Sequence, residues 1–172
     1  LGDHCRRYDD TARMLLEAGW GVCRYDNRGH GRSGGARAWL DDFRKYVDDA
    51  DFIIGLLGRE YKDKPVFTWG YSMGGLISTA FGVIYPDKIS GQVFLGTCAC
   101  SLPRYKNFRR INIDKLGFNL APSVDSELLS RNPLVCRDYD KDPLVLQAFT
   151  NRLLYEVFIK GVDWLTGVLE EH

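Results

Sequence analysis

The 172-residue sequence predicts an open α/β fold, a parallel sheet with helices on both faces, from three observations. Strand-like and helix-like runs alternate through residues 8–96. The helical runs are long enough to carry the crossovers that parallel neighbours require. Third, Gly70-Tyr71-Ser72-Met73-Gly74 stands between a β-type run and an apolar helical run, a G-x-S-x-G turn of the kind that presents a nucleophile at the top of such a sheet.

Taken in order, Tyr8, Ala12, Leu15 and Leu16 share one helical face that closes at Gly19. Trp20 to Asp26 reads as a strand, and Asn27 to Gly35 as a Gly-rich loop. Leu40, Phe43, Val47, Ala50, Ile54 and Leu57 then recur at helical spacing, an apolar stripe ending near Gly58. Pro65 to Trp69 is a strand, Leu76 to Ile84 a buried helix stopped at Pro86, and Gln92 to Gly96 a further strand. Residues 98–141 hold short pieces and prolines with no clean strand. Asp142 reads as the N-cap, and Pro143 as the first residue, of a long helix with Leu146, Phe149, Leu153 and Val157 as its stripe. The expected organisation is an α/β core over residues 1–97 and a helical cap over residues 98–172, at the sheet edge where ligands bind in open α/β folds.

Composition bounds the function. Lys plus Arg and Asp plus Glu both number 23, so no net field draws the chain to nucleic acid. Five cysteines, with no C-x-x-C pair and no nearby His cluster, argue against a disulfide framework and a zinc site. A reducing, cytoplasmic setting is expected. No run is long and apolar enough to span a bilayer, and Leu1 opens the chain with neither an initiator methionine nor signal-peptide features.

The chemistry centres on Ser72. By chance alone the pentapeptide turns up on the order of one time in ten in a chain of this length, so the strand before it and the helix after it carry the argument. Glycine is expected on either side because a Cβ would clash in so sharp a reversal. The Met73 amide, at the start of the following helix, is the first candidate oxyanion donor. A serine hydroxyl needs a base, and the chain has three histidines. His4 and His30 read as loop-stabilising residues more readily than as bases, and His172 is terminal. A rival pattern, Gly29-His30-Gly31-Arg32-Ser33-Gly34, matches the dinucleotide fingerprint in letters. It fails in context, because helical periodicity does not resume until about Leu40. No cofactor and no metal are expected.

Three segments together carry a family resemblance: Leu1-Gly2-Asp3-His4-Cys5-Arg6-Arg7-Tyr8, the loop Tyr25 to Ser33, and Gly70-Tyr71-Ser72-Met73-Gly74-Gly75. With Leu129-Ser130-Arg131-Asn132-Pro133 and Asp142-Pro143-Leu144, the chain resembles the monoglyceride lipase and lysophospholipase branch of the α/β-hydrolases, also labelled serine aminopeptidase S33. The resemblance implies Ser72 as nucleophile, Met73 and Leu1 as oxyanion donors, and a lid whose Leu116, Phe118 and Leu120, with Ala121 and Pro122, either line an acyl pocket or pack the lid. It implies a lipid or small ester substrate and peripheral membrane contact through the cap. In that pattern a strand and a His-Gly pair precede the residue matching Leu1, and the catalytic Asp and His follow the cap. The expectation is therefore a piece of such an enzyme with little turnover of its own. Two alternatives stand beside it: a non-catalytic ligand-binding module, and a peptidase using Asp114, Asp125, Glu127, Asp138 or Asp140, which otherwise read as solvated surface charges.

Overall fold

The computed structural model describes residues 1–171, with Arg104 described by its backbone alone, and His172 lies outside the described residues. In chain order the elements are α1 (Asp9–Glu17), α2 (Arg44–Glu60), β1 (Phe67–Tyr71), α3 (Met73–Ile84), β2 (Gly91–Leu95), the one-turn α4 (Ile113–Leu116), β3 (Leu120–Pro122), α5 (Pro133–Lys141), β4 (Ala148–Thr150), α6 (Asn151–Tyr155) and α7 (Val162–Glu171). A π-helical stretch over Glu156–Gly161 joins α6 to α7. The chain divides into two compact units, one of Leu1, Asp41–Gly117 and Arg152–His172, the other of Gly2–Leu40 and Phe118–Asn151.

In the first unit β1 and β2 pair in parallel, with Phe67 opposite Gly91 and Tyr71 opposite Leu95. Helix α3 covers the face bearing Thr68 and Gln92: Thr68 Oγ1 lies 2.6 Å from Ser78 Oγ, and Gln92 Nε2 donates to the same hydroxyl at 3.0 Å. On the opposite face Phe67, Trp69, Tyr71, Val93 and Leu95 stay between 39% and 53% exposed. Parallel strands are ordinarily covered on both faces, so this surface favours association. The predicted stripe is buried at Phe43, immediately before α2, and at Val47 and Ala50 within it. Phe43 meets Tyr46 edge-on at 6.3 Å and Trp164 at 6.1 Å. The π stretch brings Gly161 against this ring, where an added Cβ would lie 2.7 Å from Phe43 Cγ.

The same stretch buries Glu156, whose Oε1 lies 2.9 Å from Arg152 Nη2. Burial pushes its carboxyl above the ordinary value, against the pull of Arg152. A raised folded pKa means the native state keeps a proton that the unfolded chain has released, so stability falls as pH rises from about 4.5 through the raised value. Urea midpoints measured across that window are expected to decline with pH in the native sequence and to flatten in Glu156→Gln.

The second unit is organised around a hydrogen-bonded loop. The Asp26 carboxylate accepts the amides of Cys5 and Arg32, each at 2.7 Å, and the Gly29 and Ala38 amides close turns at 2.9 and 3.1 Å onto Gly34 and Gly29. Gly31, at φ +48°, faces the Asp26 carboxylate so closely that a Cβ would enter it. No helix opens at Gly34; the next begins at Arg44, as the argument against a dinucleotide site requires.

Three expectations are corrected. Trp20–Asp26 is not a strand: among the described residues it joins no ladder, because strand character needs a neighbour that β-propensity alone does not supply. Residues 98–141 do contain a strand, since Leu120 to Pro122 pairs antiparallel with Ala148 to Thr150. That pairing also cancels the long helix from Asp142. The Leu146 amide donates to Gly2 O at 2.9 Å, Thr150 to Ala38 O at 3.3 Å and Asn151 to Asn119 O at 2.8 Å. Asp142 instead ends α5, and its Oδ1 accepts the Leu144 amide at 2.9 Å. Helix begins only at Asn151.

Candidate active site

Ser72 occupies the single residue between β1 and α3, with φ 51° and ψ −114°. That region is strained for a residue with a Cβ, and such strain persists only where surrounding bonds over-determine it. Here they do. The Ser72 amide donates to Leu95 O at 2.9 Å, and its carbonyl accepts the amides of Gly75, Leu76 and Cys98 at 3.0, 3.3 and 3.4 Å. The hydroxyl, meanwhile, makes no capping bond to the helix it precedes. The backbone is locked while the Oγ is left available for chemistry.

The glycines divide their roles differently from the symmetrical expectation. At Gly70 an added Cβ would meet the Gly74 carbonyl oxygen, with Gly74 C at 2.6 Å and Gly75 Cα at 2.7 Å. At Gly75 it would meet the Thr97 side chain. At Gly74 it would meet nothing within 4 Å, so the second flank of the motif needs no glycine for its own sake. Gly74 matters as the backbone that Gly70 touches.

The first helical bonds to Ser72 O come from Gly75 and Leu76. The amides of Met73 and Gly74 precede them and have no intrahelical acceptor, as at any helix N-terminus. They lie at the positive end of the 12-residue α3, an arrangement suited to charge on a carbonyl oxygen. Leu1 belongs to the same unit as Ser72 and is half-buried.

The two described histidines hold loops. His30 is 1% exposed and its Nδ1 donates to Arg28 O at 3.1 Å; burial lowers its pKa from 6.5 to about 4. His4 is buried with Nε2 2.8 Å from Asp142 Oδ2. Burial pulls the Asp142 carboxyl up, but the bonds from His4 and the Leu144 amide outweigh it and hold the group below its ordinary value. This His4–Asp142 pair is absent from the sequence reading. Both residues stood in quoted motifs, yet nothing local says that positions so far apart meet. The backing of Ser72 by Cys98 and of Gly75 by Thr97 was equally hidden. Leu116, Phe118 and Leu120 are 41%, 76% and 67% exposed, and Phe118 stacks on Trp39 at 4.5 Å. An open groove of about 570 Å³ in the second unit is lined by His4, Arg7, Lys141 and Asp142 among others, a charged lining unsuited to an acyl chain.

Comparison with known proteins supplies the context. The profile of the family described as Serine aminopeptidase, S33 matches residues 1–169. Monoglyceride lipase of Mus musculus is 34% identical over 152 residues, 86% of this chain and 50% of that protein. Monoacylglycerol lipase of Mycolicibacterium smegmatis is 33% identical over 148 residues, 83% of this chain and 52% of that one. The chain thus spans about half the length of these relatives. The crystal structure of Paleococcus ferrophilus monoacylglycerol lipase superposes with a TM-score of 0.80 at 30% identity, over 97% of this chain and 64% of that one. The fold is that of an α/β-hydrolase, incomplete in its strands.

Proposed function

The chain belongs to the serine aminopeptidase S33 family of hydrolases, and from that premise we propose that it carries the nucleophile of a serine hydrolase acting on carboxylic esters, of monoacylglycerol or lysophospholipid type. The observation that carries the reading is Ser72, held at φ 51° between β1 and α3 with its hydroxyl free of the helix cap. The Oγ attacks the ester carbonyl carbon, and the carbonyl π pair moves onto oxygen, facing the amides of Met73 and Leu1. The hydroxyl proton passes to an imidazole, which the family pattern places after the cap together with its orienting Asp. Collapse expels the alcohol and leaves an acyl-Ser72 ester, which water then hydrolyses.

Residues 98–165 form the lid in this reading, with Leu116, Phe118 and Leu120 presenting apolar surface to an acyl chain and to a lipid interface. Contact with lipid in this reading is peripheral, through the cap; no described helix is long and apolar enough to cross a membrane. The names of the relatives support the monoacylglycerol class.

A fluorophosphonate probe on the protein at its full natural length is expected to modify Ser72, with the label lost in Ser72→Ala. Absence of labelling in the native protein would sink the hydrolase reading and leave a ligand-binding module. The 172-residue chain alone is expected to turn over a 4-nitrophenyl ester several orders of magnitude more slowly than a complete site; a rate near that of a complete enzyme would point to His4, His30 or His172 as the base.

A further inference from the structure

Strands of a parallel sheet ordinarily offer apolar side chains to the helix that covers them, yet β1 and β2 present Thr68 and Gln92 to α3, opposite each other in the ladder. Both meet Ser78, which is 6% exposed near the middle of that helix. Gln92 Nε2 donates to Ser78 O at 2.5 Å and to Ser78 Oγ at 3.0 Å, with Thr68 Oγ1 at 3.3 Å, and the two hydroxyls lie 2.6 Å apart. Gly82, one turn further along α3, makes the room: a Cβ there would enter the Gln92 carboxamide. The bond between Thr68 and Ser78 joins residues ten positions apart, with Ser72 at the turn between them. One arm of that turn is β1 and the other is α3, so the cluster ties the two arms together away from Ser72. Close to Ser72 the arms touch where Gly70 meets Gly74. Two points of contact fix the direction of a helix against a strand, where one alone leaves it free to pivot.

We propose that Thr68, Ser78 and Gln92 are positioning residues for Ser72 and for the Met73 amide. The inference rests on the reading of Ser72 as the nucleophile and of Met73 as an oxyanion donor. Such a donor works only if its direction is set before charge develops, and the Met73 N–H points where the first turn of α3 points. Apolar packing is non-directional and tolerates small shifts of a helix over a sheet. A buried hydrogen bond does not, because a group left without its partner bears the full cost of its lost hydration. Gln92 adds a hold from the neighbouring strand, since its one amide nitrogen reaches both Thr68 and Ser78.

The test is kinetic, on the protein at full natural length with a 4-nitrophenyl ester and a fluorophosphonate probe. Gln92→Met keeps the side-chain length and removes the donor; Thr68→Val keeps the shape and removes the hydroxyl. Each is expected to lower kcat and the second-order rate of Ser72 labelling about 10-fold, with KM changed less than about threefold, as for a displaced catalytic group. The pH–rate profile is expected to stay unchanged. The double variant is expected to be no worse than the poorer single one, because the residues act as one clamp. Thr68→Ser, which keeps the hydroxyl, is expected to recover most of the loss. Circular dichroism melts normalise each rate to folded protein, and Ser78→Ala serves where either variant fails to fold. With the native protein labelled, unchanged rates per folded molecule, additive losses, a shifted pH profile or no recovery in Thr68→Ser would each overturn this inference and leave the hydrolase reading intact. No labelling of the native protein would overturn both.

Discussion

Gly70→Ala is expected to destabilise the chain by about 3 kcal/mol or more and to disable Ser72, whereas Gly74→Ala, in the same motif, is expected to be neutral or to stabilise by about 0.5–1 kcal/mol. The contrast follows from what each methyl group would touch. At position 70 it would drive into the Gly74 carbonyl and Gly75 Cα, all backbone, with nothing flexible to yield. Relief requires the first turn of α3 to move away from β1, and Ser72 is the residue joining them. At position 74 the methyl group would enter open space on a helical residue, where alanine has the smaller conformational entropy to lose. Urea denaturation of the two variants separates these outcomes. Equal destabilisation would show that the elbow does not depend on the close approach of Gly70 to Gly74.

The second large effect is acid sensitivity from His30. Its neutral imidazole is buried against the Arg28 carbonyl, and its pKa falls from 6.5 to about 4 because burial disfavours the charged ring. Where folding depresses a histidine pKa, the unfolded state binds a proton that the native state refuses. The stabilisation is therefore complete above pH 6.5 and is lost progressively as pH falls to about 4. The interval between those values corresponds to about 3 kcal/mol, a large share of the stability of a domain of this size. Denaturation midpoints measured from pH 7 to pH 4 are expected to drop accordingly. His30→Asn, which keeps a donor for Arg28 and cannot titrate, is expected to lose most of that slope. The Glu156 contribution runs in the opposite direction from about pH 4.5 upward, so the double variant His30→Asn with Glu156→Gln is expected to be the flattest of the set.

How much was legible from the sequence depended on whether the determining interaction was local. The buried stripe at Phe43, Val47 and Ala50, the α3 helix and the strand before Ser72 all follow from periodicity and from glycines whose constraint lies within a few residues. So does the refusal of Gly29–Gly34 to open a helix. The failures in strand and helix assignment involve partners distant in sequence. Trp20–Asp26 has strand chemistry and no ladder. Leu146 and Phe149 continue the spacing of Leu153 and Val157, yet the amides around them are taken by Gly2, Ala38 and Asn119 instead of by the preceding helical turn.

The sequence by itself determined an α/β chain with Ser72 in a tight strand-to-helix turn, because such a turn leaves its mark in neighbouring glycines and flanking periodicity, and its motifs carried the resemblance to the α/β-hydrolases. Only the tertiary structure decided which glycine the turn depends on, that Asp142 closes on His4 instead of starting a helix, and that Thr97 and Cys98 back the elbow. The physical reason is range. Dihedral preference and apolar period act over a few residues and are written in the local sequence. Hydrogen bonds and close packing between segments depend on which chains the fold brings together, and a buried donor takes whichever acceptor that arrangement supplies.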